Sequence, residues 1–359
     1  MAKLLVSKKN IVTPIPVVTE EVKPDIKEAL DLSPHTLDGL LTRAQQIEAE
    51  AEDFMVVKAN SKSIRMNETA GITFIAEDGI IRDLSLSRYS LGQLSSKIGV
   101  PARYIEKCVD SGRIDLAQDN MNSWLEDYNK DLFIRGYRDS ARGILSSKYS
   151  VCDTPEILQV IDDAVDLSNY KIKGSYLNEE RLHLRLVGRD MLPIDGEDLF
   201  AGLFVDSSDV GRSILTVKFG IYKQVCTNGL VIARAGGTLF EQKHIGITSE
   251  EFHEGLIKSL VNVDELTEHA VEFVKLAKSK SSGYDTMNIS QTEMDEFVEQ
   301  IRHKTNLSVE SATKVINLMQ TKYDSSKWGL INGITEVAQD FTLERRLELE
   351  KIAGSLLVA

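Results

Sequence analysis

The sequence is poor in cysteine, with only Cys108, Cys152 and Cys226 among 359 residues. An odd number of widely separated cysteines, without a Cys-X-X-Cys pair, disfavours both a disulfide framework and a structural zinc site. The chain also lacks any apolar run near the roughly 20 residues that a spanning helix needs. The apolar patch in "MAKLLVSKKN" is too short for a signal peptide. We therefore expect a cytoplasmic protein with reduced thiols and no membrane association.

Recognisable metal and phosphate motifs are also missing. The chain has 6 histidines, and none of them forms a His-X-His or His-Glu-X-X-His pattern. No glycine-rich phosphate loop separates a strand from a helix. Acidic clusters occur at Asp195, Glu197 and Asp198 and at Asp206 and Asp209, but such clusters are typical of solvated turns. We expect no metal and no cofactor, although these acids could hold a divalent ion.

Positive charge is scarce, since 42 Lys and Arg face 55 Asp and Glu and the net charge is −13. An acidic chain is a poor candidate for coating duplex DNA by bulk charge. The charge is unevenly spread, however, because residues 132–245 contain 14 basic and 15 acidic side chains. This nearly neutral centre between acidic flanks still allows a local cationic surface.

The hydrophobic periodicity changes along the chain from mixed to strand-like and then to helical. It predicts an α+β fold with a central antiparallel sheet, an N-terminal mixed α/β part and a C-terminal helical part. The predicted regions are a mobile arm (1–33), a mixed α/β region with a helical hairpin (34–131), an antiparallel β-rich core (132–246) and a helical region (247–359).

The helical hairpin lies in "YSLGQLSSKIGVPARYIEKCVDSG", residues 89–112. Gly99 suits the turn and Pro101 suits the start of the second helix. The spacing resembles a helix-turn-helix, in which Arg103, Tyr104 and Lys107 would read DNA. Many packed helical hairpins share this spacing, so the pattern favours a structural role.

The segment "KFGIYKQVCTNGLVIARAGG", residues 218–237, raises three alternatives. Cys226 could be a nucleophile with His183 or His244 as its base, but no cysteine-enzyme signature surrounds it. A phosphate loop would need a glycine pattern that is not there. Asn228-Gly229 is the strongest short hairpin signal, because both residues tolerate positive φ. We predict that this pair turns the chain between two strands.

Two segments, "RLHLRLVGRD" and "RSILTVKFGIYKQV", alternate between apolar and polar residues. This period predicts two strands, with Arg181, His183 and Arg185 on the polar side of the first and Lys218 and Tyr222 on the polar side of the second. In one antiparallel sheet these side chains would share the outer face, and the basic residues near 135–142 could extend that strip. Positive charge can follow a phosphate backbone, and aromatic rings can stack on unpaired bases. The alternative is a solvated face balanced by nearby acids. The candidate nucleic-acid-binding residues are Arg135, Tyr137, Arg138, Arg142, Arg181, His183, Arg185, Lys218 and Tyr222.

The order of several blocks resembles a family of phage/plasmid-like proteins of unknown function. The blocks are "SLGQLSSKIGVPARYIEKCV", "NMNSWL", "IRGYRDSARGILSSKYSVCDTPEIL", "SSDVGRSILTVKFGIYKQVCTNGLV", "KHIG" and "KWGLINGITEVA". The resemblance covers roughly 60–350. The resemblance implies a mobile-element protein in the cytoplasm of a bacterial host, and it supplies no catalytic residues. A looser analogy links the chain to phage single-strand annealing proteins, which bind nucleic acid on a basic sheet and assemble into rings or filaments.

These observations lead to a phage or prophage protein that binds single-stranded DNA in replication or recombination, without catalysis. We expect it to form homo-oligomers. One alternative is a protein-binding module that inhibits a host defence or replication factor. Another is a metal-dependent hydrolase or nuclease that uses His183, His244 or the acids between Asp195 and Asp209. A duplex-binding regulator that uses Arg103 is a further alternative.

Overall fold

The computed structural model describes residues 36–165, 169–194, 196–223, 228–231, 238–245, 248–260 and 263–358. It confirms the predicted α+β class, with two sheets and a helical C-terminal part. The predicted arm at residues 1–33 lies outside the described residues, as do Asp195 and Cys226. No helix in the described ranges is both long and apolar enough to cross a membrane.

The first sheet follows helix α1 (Leu37–Ala49) and has the strand order β1-β5-β6-β4-β3-β2. Only the contact between β4 and β6 is parallel. A tight turn joins β3 to β4. Gly79 takes a positive φ there, which suits the glycine of the Asp78-Gly79 pair. The strands are β1 (Ala51–Ala59), β2 (Ile64–Met66), β3 (Ile72–Ile75), β4 (Ile81–Leu86), β5 (Lys130–Tyr137) and β6 (Ser140–Ser146).

The helical hairpin forms as predicted from α2 (Arg88–Lys97) and α3 (Ala102–Asp110). Ser87 caps α2 by accepting a hydrogen bond from the Ser90 amide. Gly99 takes φ +77° at the turn, and Pro101 is the N-cap residue of α3. Helix α4 (Ile114–Glu126) completes the layer and packs on β2. These helices and the first sheet share one hydrophobic core.

The second sheet is an antiparallel meander of β7 (Tyr170–Leu177), β8 (Leu182–Met191), β9 (Leu199–Ser207) and β10 (Leu215–Lys223). Two further strands, β11 (Asn228–Val231) and β12 (Thr238–Gln242), pair with successive parts of β10. The apolar rows predicted in β8 and β10 are buried. They consist of Leu182, Leu184, Leu186, Leu215, Val217, Phe219 and Ile221.

The predicted Asn-Gly turn is wrong. Asn228 pairs with Lys223, and Gly229 pairs with Tyr222, so both residues begin strand β11. Four residues separate Lys223 from Asn228, and the connection therefore falls at 224–227, outside the described residues. Strand pairing has overridden the local preference of this pair for positive φ.

The helical part packs against the apolar row of the second sheet. Its helices are α5 (Thr154–Ala164), α6 (Ser249–Leu260), α7 (Val263–Ser279), α8 (Gln291–Thr305), α9 (Val309–Thr321), α10 (Lys327–Val337) and α11 (Leu343–Val358), with a 3₁₀ turn at Ala338–Asp340. Ile331, Ile334 and Val337 are each no more than 1% exposed, so α10 uses its apolar face within the chain.

Candidate anion-binding site on the second sheet

The structure separates the nine sequence-predicted residues into two groups. Four lie on β5, β6 and the turn between them in the first sheet, and five lie on β10, on β8 or directly before β8 in the second sheet. The first group consists of Arg135, Tyr137, Arg138 and Arg142. The second consists of Arg181, His183, Arg185, Lys218 and Tyr222. Two surfaces are therefore involved rather than one continuous strip.

Arg135 anchors a buried ionic cluster between the two sheets. Its guanidinium donates two hydrogen bonds to Asp53, both at 3.0 Å, and two to Asp153 at 2.5 and 2.6 Å. A fifth bond, of 2.8 Å, goes to the carbonyl oxygen of Asp209. All five N–H donors of the guanidinium are thereby used. Burial alone would lower the pKa of Arg135, but Asp153 and Asp53 raise it above its usual value.

The remaining residues of the first group are also engaged. Arg142 is 3% exposed and donates to the Glu179 carbonyl at 2.8 Å. Arg138 is exposed and pairs with Glu50, and its guanidinium lies 5.1 Å from the centre of the half-buried Tyr137 ring. In this group the cations have intramolecular partners, which favours structural roles for them.

One face of the second sheet collects the other five predicted residues. Strand register places His183 opposite Asp206, and places both Arg185 and Lys218 opposite Phe204. Because side chains alternate along a strand, these groups share the face opposite the apolar row. Tyr222 lies on the same face, four residues beyond Lys218 on β10.

His183 and Asp206 form the best-defined pair on this face. Arg185 Nε, which is always a donor, lies 3.2 Å from His183 Nε2, so that nitrogen accepts. His183 Nδ1 then donates to Asp206 Oδ1 at 2.8 Å. Burial alone would raise the pKa of Asp206, but His183, Arg181 and Lys218 lower it well below its usual value.

Helix α11 supplies two charged residues that sequence analysis missed. Glu350 is fully buried and accepts from Arg185 at 2.9 Å and from Arg346 at 2.9 Å. Burial and the positive charge of Arg185 lower the pKa of Arg346, despite the opposing effect of Glu350. One carboxylate thus serves two guanidinium groups. No local pattern indicates this contact, because 165 residues separate Arg185 from Glu350.

Positive charge exceeds negative charge on this face. We call its cations, which are Lys171, Arg181, Arg185, Lys218 and Arg346, the cationic face. Lys171 belongs to it because β7 register pairs it with Val187, two residues beyond Arg185. The carboxylates described on the same side are those of Asp206, Glu241 and Glu350. Lys218 is half-buried and forms no ion pair with the described residues.

The strand pattern predicts a solvent-facing row here, and that exposure is wrong. His183 is 1% exposed, Arg185 5% and Tyr222 5%. Helix α11 covers part of the row through Glu350 and Arg346, which explains why alternating polar residues end up buried. Access from solvent remains at the half-buried Arg181 and Lys218 and at the exposed Lys171 on the edge strand.

A family profile described as "Domain of unknown function (DUF932)" matches residues 141–353. The chain belongs to the DUF932 family. The match includes every residue of the cationic face, strands β7, β8 and β10 and most of α11, whereas most of the first sheet lies outside it. A search of curated proteins and a search of solved structures found no significant match.

Two acids from the clusters that the sequence analysis considered for metal binding, Glu197 and Asp209, have partners. Glu197 lies 2.7 Å from Lys223 and 3.5 Å from Lys278. Asp209 accepts from Thr154 at 2.9 Å, while burial and the charge of Asp153 raise the pKa of Asp209 to about 7.

His244 lies away from His183 in the fold. Its ring stacks on Tyr149, with ring centres 5.3 Å apart, and burial lowers the pKa of His244. The two histidines proposed as bases therefore occupy separate buried environments. The three residues that would read DNA in a helix-turn-helix lie on helix α3 and are exposed. They are Arg103, Tyr104 and Lys107.

Proposed function

We propose that this DUF932 chain binds single-stranded nucleic acid through its cationic face, without catalysis. The observation that carries the proposal is Lys218, a half-buried lysine that forms no ion pair within the described part of the chain and shares its face with three arginines. Asp206 interacts with Lys218, but the same carboxylate also serves Arg181 and His183, so a further anion would offset the remaining positive charge. A phosphate backbone would provide that anion, and Lys171 and Arg181 offer further contacts at the open edge.

Aromatic rings on the same face favour a single strand over a duplex. Tyr176 is half-buried and pairs in register with His183, next to the opening of the face. Unpaired bases can stack on such rings, whereas the bases of a duplex are already stacked on one another. We assign stacking to Tyr176, and we assign the orientation of Arg185 to His183.

The biological setting is part of the proposal. The resemblance to phage/plasmid-like proteins supports a mobile-element protein that acts in replication or recombination in the cytoplasm of a bacterial host. The analogy with annealing proteins supports a homo-oligomer, since such proteins cover a strand with many copies.

The proposal predicts that Lys171→Gln combined with Lys218→Gln weakens binding of a labelled single-stranded 30-mer. Loss of two phosphate contacts should lower the affinity by about tenfold or more at low salt. Fluorescence anisotropy measures this directly. The matched control is Lys275→Gln with Lys304→Gln, which removes the same charge from exposed helical positions.

Three results would count against the proposal. They are the absence of binding by the wild-type chain at low salt, equal weakening by both double variants, and a preference for duplex over single-stranded DNA. Circular dichroism of each variant separates loss of binding from loss of folding.

A second candidate function, protein binding, is favoured by an acidic groove of about 690 Å³ in the first sheet. Glu52, Asp53, Glu77 and Asp78 line it, and Arg82 is its only lining cation among the described residues. Exposed apolar side chains continue the same segments, since Val57 is 50% and Ile75 is 38% exposed. This combination suits a basic peptide with apolar side chains.

The groove predicts that Glu52→Gln with Glu77→Gln weakens binding of an Arg- and Lys-rich peptide several-fold while leaving single-strand binding unchanged. Both glutamates are exposed, so folding should tolerate their replacement. Glu268→Gln with Glu272→Gln, on exposed positions of α7, is the charge-matched control. Peptide binding that is equal in all three proteins would exclude the groove.

A further inference from the structure

A cysteine, a glutamate and a histidine meet where α6 packs against the start of α5. The ligand atoms of Cys152, Glu156 and His253 all lie within 4.8 Å of one another. Glu156 Oε2 and His253 Nε2 are 4.0 Å apart. This cluster is independent of the cationic face.

The start of α5 supplies two of the three side chains, and α6 supplies the third. Cys152 precedes Asp153, the N-cap residue of α5, and Glu156 lies in the first turn of the same helix. His253 lies one turn before Leu256 on α6, and Leu256 is fully buried. Residues three apart share a helix face, so the packing that buries Leu256 also points His253 towards α5.

We propose that Cys152, Glu156 and His253 bind Zn²⁺ and leave its fourth position open to solvent. Thiolate, imidazole and carboxylate are the ligands that zinc takes in proteins, whereas calcium and magnesium prefer oxygen alone. Ideal tetrahedral bond lengths separate neighbouring ligand atoms by about 3.4–3.6 Å. Closing the cluster therefore needs movements of about 1 Å.

The surroundings favour a cation. Cys152 is 2% exposed, which fixes the sulfur, whereas the side chains of Glu156 and His253 are 46% and 35% exposed. A divalent cation bound beside the sulfur favours the thiolate form of Cys152. The N-terminus of α5 also stabilises a thiolate.

The sequence did not reveal this site because its three ligands are not close together in the chain. Cys152 and Glu156 are four residues apart, which alone is not a metal motif, and His253 lies almost 100 residues further along the chain. The expectation of no metal rested on the absence of short motifs, and it did not consider ligands joined by helix packing.

The test is binding of Zn²⁺ to full-length protein stripped with a chelator, measured by competition with a chromophoric zinc indicator. We expect one ion per chain, and at least tenfold weaker binding in Glu156→Gln and in His253→Gln. Both changes lie on partly exposed side chains, so these variants should remain folded. Cys108→Ser and His269→Gln are the controls and should bind as the wild type does.

Cobalt substitution identifies the sulfur ligand. Bound Co²⁺ should show a thiolate charge-transfer band that is lost in Cys152→Ser and kept in Cys108→Ser and Cys226→Ser. The proposal is overturned if the stripped protein binds no Zn²⁺. It is also overturned if Glu156→Gln and His253→Gln bind as tightly as the wild type, or if the cobalt band survives in Cys152→Ser.

Discussion

Replacing Arg135 with methionine is expected to lower the free energy of unfolding by about 3–5 kcal/mol. The guanidinium is 2% exposed and makes five hydrogen bonds, four of them to Asp53 and Asp153. Methionine fills a similar volume but leaves those carboxylates without a partner. Asp153 would then face Asp209, whose pKa its charge already raises. Urea denaturation followed by circular dichroism measures the change.

The matched control is Arg138→Gln on the same hairpin. Arg138 also pairs with a carboxylate, Glu50, but its side chain is 62% exposed, so solvent replaces the lost contact. We expect its unfolding midpoint to stay close to that of the wild type. If Arg135→Met unfolds at the wild-type midpoint, or no earlier than Arg138→Gln, the ionic cluster does not hold the two sheets together.

Replacing Glu350 with glutamine is expected to destabilise the chain by a similar amount, about 3–5 kcal/mol, and to strengthen anion binding. Glu350 is the carboxylate shared by Arg185 and Arg346, and it is fully buried. Its neutral analogue leaves both guanidinium groups unbalanced beside Lys218. Sulfate should therefore raise the unfolding temperature of Glu350→Gln more than chloride of equal ionic strength does.

Glu348→Gln is the control for this change. Glu348 lies on the same helix and pairs with Arg345, but its side chain is 58% exposed. It should alter neither stability nor the response to sulfate. Weaker oligonucleotide binding by Glu350→Gln at a temperature where it remains folded would contradict the charge excess that we infer.

Sequence periodicity predicted much of the fold, because burial on one side leaves a period of two in strands and of 3.6 in helices. The two alternating segments became β8 and β10 with the expected apolar row inward. The helical hairpin formed around Gly99 and Pro101 as expected. These features are local, and nearby residues determine them.

Features that depend on distant parts of the chain could not be predicted in this way. The polar row of β8 is buried because α11 brings Glu350 to Arg185 from 165 residues away. The sequence around Arg135 does not indicate its contacts with Asp53, Asp153 and Asp209, which come from other segments of the chain. An alternating polar row predicts one solvent-facing side only when no other element packs on that side.

In the candidate site, too, the sequence predicted the local features and did not predict the contacts between distant residues. The pattern correctly grouped Arg181, His183, Arg185, Lys218 and Tyr222 on one face, but it could not assign their ion-pair partners. Lys171 was identifiable in "YKIKGSYL", where lysines alternate with apolar residues. Arg346 was not, since its position against Arg185 depends on the packing of the final helix.

The central claim is that Lys171 and Lys218 neutralise phosphates of a bound single strand. The most direct test is the salt dependence of 30-mer affinity in the wild type and in the Lys171→Gln, Lys218→Gln variant. Each phosphate contact contributes about 0.7 to the slope of log Kd against log salt concentration, so we predict that the variant slope is smaller by about 1.4. Equal slopes in the two proteins, or an affinity that does not respond to salt, would contradict the claim.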